Sequence, residues 1–224
     1  MRHWTQLGSA SIPGSDKSLL LFQGKDDFSI KISGGVELMN SRQHGSEDAL
    51  GSLPCKQLKQ PESAEVLIGG LGMGFTLAAV LAAVGPAARV HIAELIPEVI
   101  EWNKGPLGEC SAYPLSDNRV QVHLTDVAQL LRDNKNFYDV IALDVDNGPD
   151  GLTKTSNDWI YTAAGIHNTR KALKSGGIVS YWSADSDQKF YRLLKSCKFR
   201  VEEIKVYAHA NKGTQHTIWL AYKD

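Results

Sequence analysis

Cysteine is scarce in this chain. Cys55, Cys110 and Cys197 stand far apart among 224 residues. Their number is odd and no CxxC pair occurs, which argues against both a disulfide framework and a thiolate zinc site. The same scarcity fits a reducing, cytoplasmic setting. An excess of one charge is missing too. The 24 basic and 25 acidic residues leave a net charge of −1, so no bulk field draws the chain to nucleic acid. The first 17 residues hold no apolar signal core. A long apolar run, residues 66–84, is broken by Gly69, Gly70, Gly72 and Gly74. It therefore reads as strand, turn and helix, and not as a membrane span. Repeats and low-complexity segments are absent. What is present is an apolar content of 42%, ample for the core of one α/β domain with a small appendage.

The stretch 64–94 organises the rest. Val66-Leu67-Ile68 is a short buried-strand run, the glycine cluster 69–74 follows, and residues 75–84 have helical character. A second apolar run, residues 90–93, ends on Glu94, twenty residues after Gly74. Strand, glycine turn, helix, strand and acid is the layout of a nucleotide-binding βαβ unit. Glycines allow a sharp turn and a close backbone approach to a ligand. The helix start beside them offers unpaired N–H groups. A carboxylate at Glu94 can accept both ribose hydroxyls. The third glycine of a dinucleotide fingerprint is lacking, since position 77 is Leu. Gly70-x-Gly72-x-Gly74 fits better the looser turn of S-adenosylmethionine (SAM) enzymes. A tight turn without nucleotide, and a merely solvated Glu94, are the bland alternatives.

Along the chain, residues 1–18 look loosely ordered. Residues 19–22, 28–32 and 36–39 predict strands, with a hairpin turn at Gly34-Gly35. The polar run 40–48 is an exposed loop with a helix cap at Ser46, and a short helix over 48–58 follows. Beyond Glu94, Pro97 opens a helix. Strands over 120–124, 138–143 and 178–182 alternate with helices after Asp126, across 159–173 and around 190–194, the second stopped by Lys174-Ser175-Gly176-Gly177. Strands over 201–207 and 217–222 close the chain as an antiparallel hairpin. The fold class predicted is a doubly wound, mostly parallel Rossmann-like sheet of seven strands. Residues 1–60 form a β-rich appendage and connecting segment, and residues 61–224 the nucleoside-binding domain. Glu94, Asp126 and Asp144 all fall at strand carboxyl ends, where the ligand crevice of such sheets lies. Asp126 is equally suited to cap the next helix.

These residues together resemble the polyamine aminopropyltransferases, the spermidine synthase family, within the class I SAM-dependent methyltransferase fold. The matching pieces are Val66-Leu67-Ile68-Gly69-Gly70, Glu94 with Pro97-Glu98-Val99-Ile100, Asn118 to Val122 with Asp126, Tyr138 to Ile141 with Asp144, and Leu173 to Ile178. Gly34 to Leu38 looks like the end of that family's N-terminal β-domain. The resemblance implies that Glu94 holds ribose hydroxyls, that Asp126 accepts the adenine amino group and that Asp144 faces the acceptor. It implies a homodimer as well. Gly69, Gly70, Gly72, Gly74, Leu95 and Val127 complete the expected cofactor set. Departures are plain. Gly72 stands where the family carries an Asp, Gly45-Ser46-Glu47 stands for Tyr-His-Glu, and the Asp-Ser-Ser-Asp-Pro loop becomes Asp144-Val145-Asp146-Asn147-Gly148.

Those departures make methyl transfer from SAM to a small molecule the leading expectation. Aminopropyl transfer from decarboxylated SAM, and non-catalytic nucleoside binding, are the alternatives. Asp144 is the candidate base or acceptor-orienting group, assisted by Glu47, Asp146 and Asn147. Trp182, Tyr181 and Trp159 are candidates for the acceptor wall, with core packing as their other role. No metal, membrane or nucleic-acid role is expected.

Overall fold

The computed structural model describes residues 3–144, 158–209 and 212–224. Four antiparallel strands come first: β1 (Thr5–Ser11), β2 (Ser18–Gln23), β3 (Phe28–Ile32) and β4 (Val36–Asn40), in the spatial order 1-2-3-4. Then come α1 (Gly45–Cys55), β5 (Glu65–Gly69), α2 (Phe75–Ala83), β6 (Arg89–Glu94) and α3 (Pro97–Lys104). They are followed by β7 (Val120–Leu124), α4 (Val127–Asp133), β8 (Tyr138–Leu143), α5 (Ala163–Ala172), β9 (Leu173–Ser183), α6 (Gln188–Ser196), β10 (Arg200–His209) and β11 (Lys212–Tyr222).

The seven-stranded sheet has the order β10-β11-β9-β8-β5-β6-β7. Strands β9, β8, β5, β6 and β7 run parallel, and β11 joins β9 antiparallel. Every residue of β5 is buried, because a central parallel strand is covered on both faces. One face packs Val66, Ile68, Val90 and Ile92 with side chains of α1, α2 and α3, and this core continues into Leu21 and Ile30 of the small sheet. The other face packs Leu67, Ile141 and Val179 against α4, α5 and α6. Strand order reverses between β5 and β8, so the crevice opens there.

Several local readings are corrected. Residues 5–11 form β1, an edge strand whose seven residues are almost all exposed or half-buried, so no apolar alternation marked it. Helix α1 starts at Gly45 with His44 as a cap whose side chain does not cap. Ser46 instead donates from Oγ to Glu47 Oε2 at 2.6 Å. Lys174 to Gly177 belong to β9. Helix α5 ends at Ala172 because Leu173 turns extended, with φ −69° and ψ 142°. Trp159 lies in a separate 3-10 turn, Asp158–Tyr161. No helix among the described residues is long and apolar enough to cross a membrane.

Candidate active site

The glycine turn between β5 and α2 carries three positive φ angles, +91° at Gly70, +53° at Gly72 and +82° at Gly74. A side chain at Gly70 would put its Cβ 2.3 Å from the Asp144 carbonyl oxygen. This glycine is thus required by close approach as well as by backbone angle. Asn103, fully buried on α3, holds the turn from below: its Nδ2 donates to the Gly72 carbonyl at 2.8 Å and to that of Val99 at 2.9 Å.

Glu94 ends β6 buried at the crevice floor. Its Oε2 accepts from Leu71 N at 2.9 Å, and its Oε1 accepts from Leu95 N at 2.8 Å and Ile96 N at 2.9 Å. One carboxylate therefore ties the glycine turn to the start of α3. Asp126 caps α4, accepting from Ala128 N at 2.8 Å, and also lines the crevice. Both roles foreseen for it are compatible.

Asp144 follows β8. Its N–H donates to the Gly69 carbonyl at 2.9 Å, and its Oδ2 accepts from Thr76 Oγ1 at 3.0 Å. Thr76, in the first turn of α2, also lies 3.2 Å from the Glu47 carbonyl oxygen. Glu47 projects from α1 into the same space. Burial first, and then the Asp144 charge, push its carboxyl up to about 7. Two carboxyls sharing a partly dry site push one proton affinity up in this way.

The folded-state value of Glu47 lies above its ordinary value of 4.5. Its ionisation penalty is thus absent below that pH and fully present above about pH 7, and stability falls as pH rises between them. Glu47→Gln is expected to melt higher than the parent at about pH 8, by the equivalent of about 1–3 kcal/mol. The difference closes near pH 4.5, and equal melting at both pH values would remove this account.

The crevice has a volume of about 450 Å³. Gly70, Gly72, Glu94, Leu95, Asp126, Val127 and Asp144 line it. Gly69 and Gly74 do not face it among the described residues. Gly69 packs on Val127 and Leu143, and Gly74 sits at the start of α2 against Ser111 and Asn103. Trp182 forms part of the wall and stands 4.9 Å, centroid to centroid, from the His216 ring. Tyr181 does not. It is fully buried on the other face, packed edge-on to Phe190 at 5.1 Å. Asp146 and Asn147 lie outside the described residues. The sequence reading missed the apolar roof from the small sheet, Ile30, Leu38 and Met39, which alternation alone could not assign to a second domain's pocket. It missed Thr76 as well, whose only signal was its place in the first turn after the glycines.

A model of the spermine/spermidine synthase domain matches residues 44–210. The chain belongs to that family. Polyamine aminopropyltransferases of Prochlorococcus marinus and Oceanobacillus iheyensis are similar to it. The first is 30% identical over 149 residues, covering 63% of this chain and 50% of the relative. The second is 26% identical over 165 residues, covering 73% and 31%. The chain thus spans between a third and a half of these curated family members. The spermidine synthase of Thermotoga maritima shares the fold with a TM-score of 0.76 at 20% identity, over 98% of this chain and 73% of that one. A spermidine synthase in complex with the transition-state analogue AdoDATO gives 0.75 at 20%, over 98% and 72%. The family's relatives do not support methyl transfer, the leading expectation drawn from the substituted motifs.

Proposed function

We propose that the chain is an aminopropyltransferase that takes decarboxylated SAM as donor and a small amine as acceptor. The charge of the crevice carries this reading. Its described lining holds five acids (Asp16, Glu47, Glu94, Asp126 and Asp144) against one base, Lys17. A polyamine is a polycation, and decarboxylated SAM carries sulfonium and ammonium charges without a carboxylate. The carboxylate of SAM would enter a field of like charge, where two charges about 4 Å apart at an effective dielectric near 20 repel by roughly 4 kcal/mol. Gly72 removes one such charge relative to the family's Asp. Glu47, Asp126 and Asp144 remain.

The residues fit the donor. The glycine turn leaves backbone close to the crevice, Glu94 lies where ribose hydroxyls would bind, and Asp126 lies where an adenine amino group would. In the transfer, the acceptor nitrogen attacks the donor's methylene carbon beside sulfur. The C–N bond forms as the C–S bond breaks, the electron pair leaves on sulfur, and methylthioadenosine departs. The protein supplies alignment for in-line attack and a place for the amine proton. Glu47, held near neutrality, suits that task, and Asp144 holds the attacking ammonium close beforehand.

Calorimetric titration of the full chain with both donors tests the reading. Decarboxylated SAM is expected to bind at least about tenfold more tightly than SAM, and incubation with it and putrescine to release methylthioadenosine. Tighter binding of SAM would restore methyl transfer.

A further inference from the structure

A second cavity lies at the opposite end of the larger sheet. Its volume is about 220 Å³, and Lys135, Asn136, His167, Arg170, Lys171 and Lys223 line it. The elements that carry them converge at the amino ends of the parallel strands. Lys135 sits on the connection from α4 to β8, Arg170 and Lys171 are in the last turn of α5, and Lys223 follows β11. We propose that this cavity binds a small phosphate-bearing anion of the pyrophosphate class.

Four cations share the cavity in a chain whose net charge is −1. Among the described residues none of the four is in an ion pair with a carboxylate. Helix-dipole compensation explains Arg170 and Lys171 at the end of α5. It does not explain Lys135 or Lys223, which belong to other elements. The backbone under the cluster is fixed. Asn136 N donates to the Lys171 carbonyl at 2.9 Å, Lys223 N to that of Gly177 at 2.9 Å, and Gly176 N to that of Lys223 at 2.7 Å. Lys223 Nζ donates to Asn136 Oδ1 at 3.0 Å and to the Leu173 carbonyl, so its charge is held in place without being neutralised. Burial, and then the Arg170 charge, lower the proton affinity of Lys223, the cost that a bound anion would relieve. The Arg170 side chain is tethered through Nε to the Lys198 carbonyl at 3.3 Å. A guanidinium beside ammonium groups matches paired phosphoryl oxygens. The volume lies below the roughly 300–1,000 Å³ of drug-sized pockets, which suits a diphosphate group and excludes a whole nucleotide.

Calorimetry of the full chain with inorganic pyrophosphate, and separately with methyl diphosphate, tests the site. Methyl diphosphate represents an esterified source and carries no base to enter the larger crevice. Saturable binding is expected, and Arg170→Gln, Lys135→Gln and Lys223→Gln are each expected to raise Kd about tenfold. Lys104→Gln, a distant charge paired with Glu101, is expected to leave Kd unchanged. Melting temperatures equal to the parent's show that the variants fold. Tighter binding of the ester than of pyrophosphate supports the site and assigns an organic diphosphate as its source. No saturation by about 10 mM of either probe, or parental affinity in the three cavity variants, would overturn the proposal. So would displacement of pyrophosphate by a short single-stranded oligonucleotide at lower concentration, which would mark a nucleic-acid face.

Discussion

Asp144→Asn is expected to reduce aminopropyl transfer by about 10²–10⁴-fold while leaving the affinity for methylthioadenosine near parental. The substitution keeps the shape of the side chain. The backbone stays anchored to the Gly69 carbonyl, and the amide can still meet Thr76 Oγ1, which lies 3.0 Å from Oδ2. What goes is the negative charge that holds the attacking ammonium. The same charge is the second cause, after burial, of the high proton affinity of Glu47. The variant's Glu47 is therefore expected to titrate lower than the parent's, toward the ordinary carboxylate range. Single-turnover rates, nucleoside calorimetry and the pH profile read these three effects separately. A variant that keeps most of its activity on the identified acceptor would place the chemistry elsewhere.

Glu94→Ala is the second large effect, and it has two parts. Nucleoside binding is expected to weaken by about 2–4 kcal/mol through loss of charge-assisted hydrogen bonds to ribose. Stability is expected to fall as well, because Leu71, Leu95 and Ile96 each lose the acceptor of a backbone N–H. An unsatisfied buried donor costs about 1–3 kcal/mol. Glu94→Gln separates the two parts. Its amide oxygen keeps one acceptor for the turn, so melting recovers toward the parent, while the missing charge keeps ribose binding weak. Calorimetry with methylthioadenosine and a thermal melt measure both. Parental nucleoside affinity in Glu94→Gln would sink the ribose assignment.

Much of this fold was legible because its strands are buried on both faces. Val66-Leu67-Ile68 and Val140-Ile141-Ala142-Leu143 read as continuous apolar runs because both faces are covered. Glycines and acids then fell at their carboxyl ends. The strand β1 was not legible, since a polar edge strand carries no periodic signal and is defined by its pairing to β2. Lys174 to Gly177 misled because glycine usually interrupts, whereas here Gly176, with φ +75°, lies inside a strand. In the site, Glu94 and Asp144 were visible as strand-end acids, and the N-capping side of Asp126 followed from the helix after it. Glu47 was visible only as an assisting group. Its raised proton affinity depends on burial and on Asp144, which the chain brings to it from the far side of α2, β6 and β7. Tyr181 and Trp182 are neighbours on one strand, so alternate faces send one to the core and the other to the crevice. Sequence gave no way to choose between them.

The position of β5 between β6 and β8 also governs the order in which the molecule can be made. On a ribosome, β5, the glycine turn, β6 and β7 emerge before β8 does. Until Tyr138 to Leu143 leave the exit tunnel, β5 presents an open, fully apolar edge to its surroundings. The Gly70 backbone, which will lie against Asp144, has no wall to close on during that interval. The crevice thus comes into being late in synthesis, when a single strand seals the middle of the sheet and delivers its acid in the same step. Strand pairings of such long sequence separation carry a large loop-closure entropy and form slowly. The nascent chain must accordingly shield that edge from other chains while it waits.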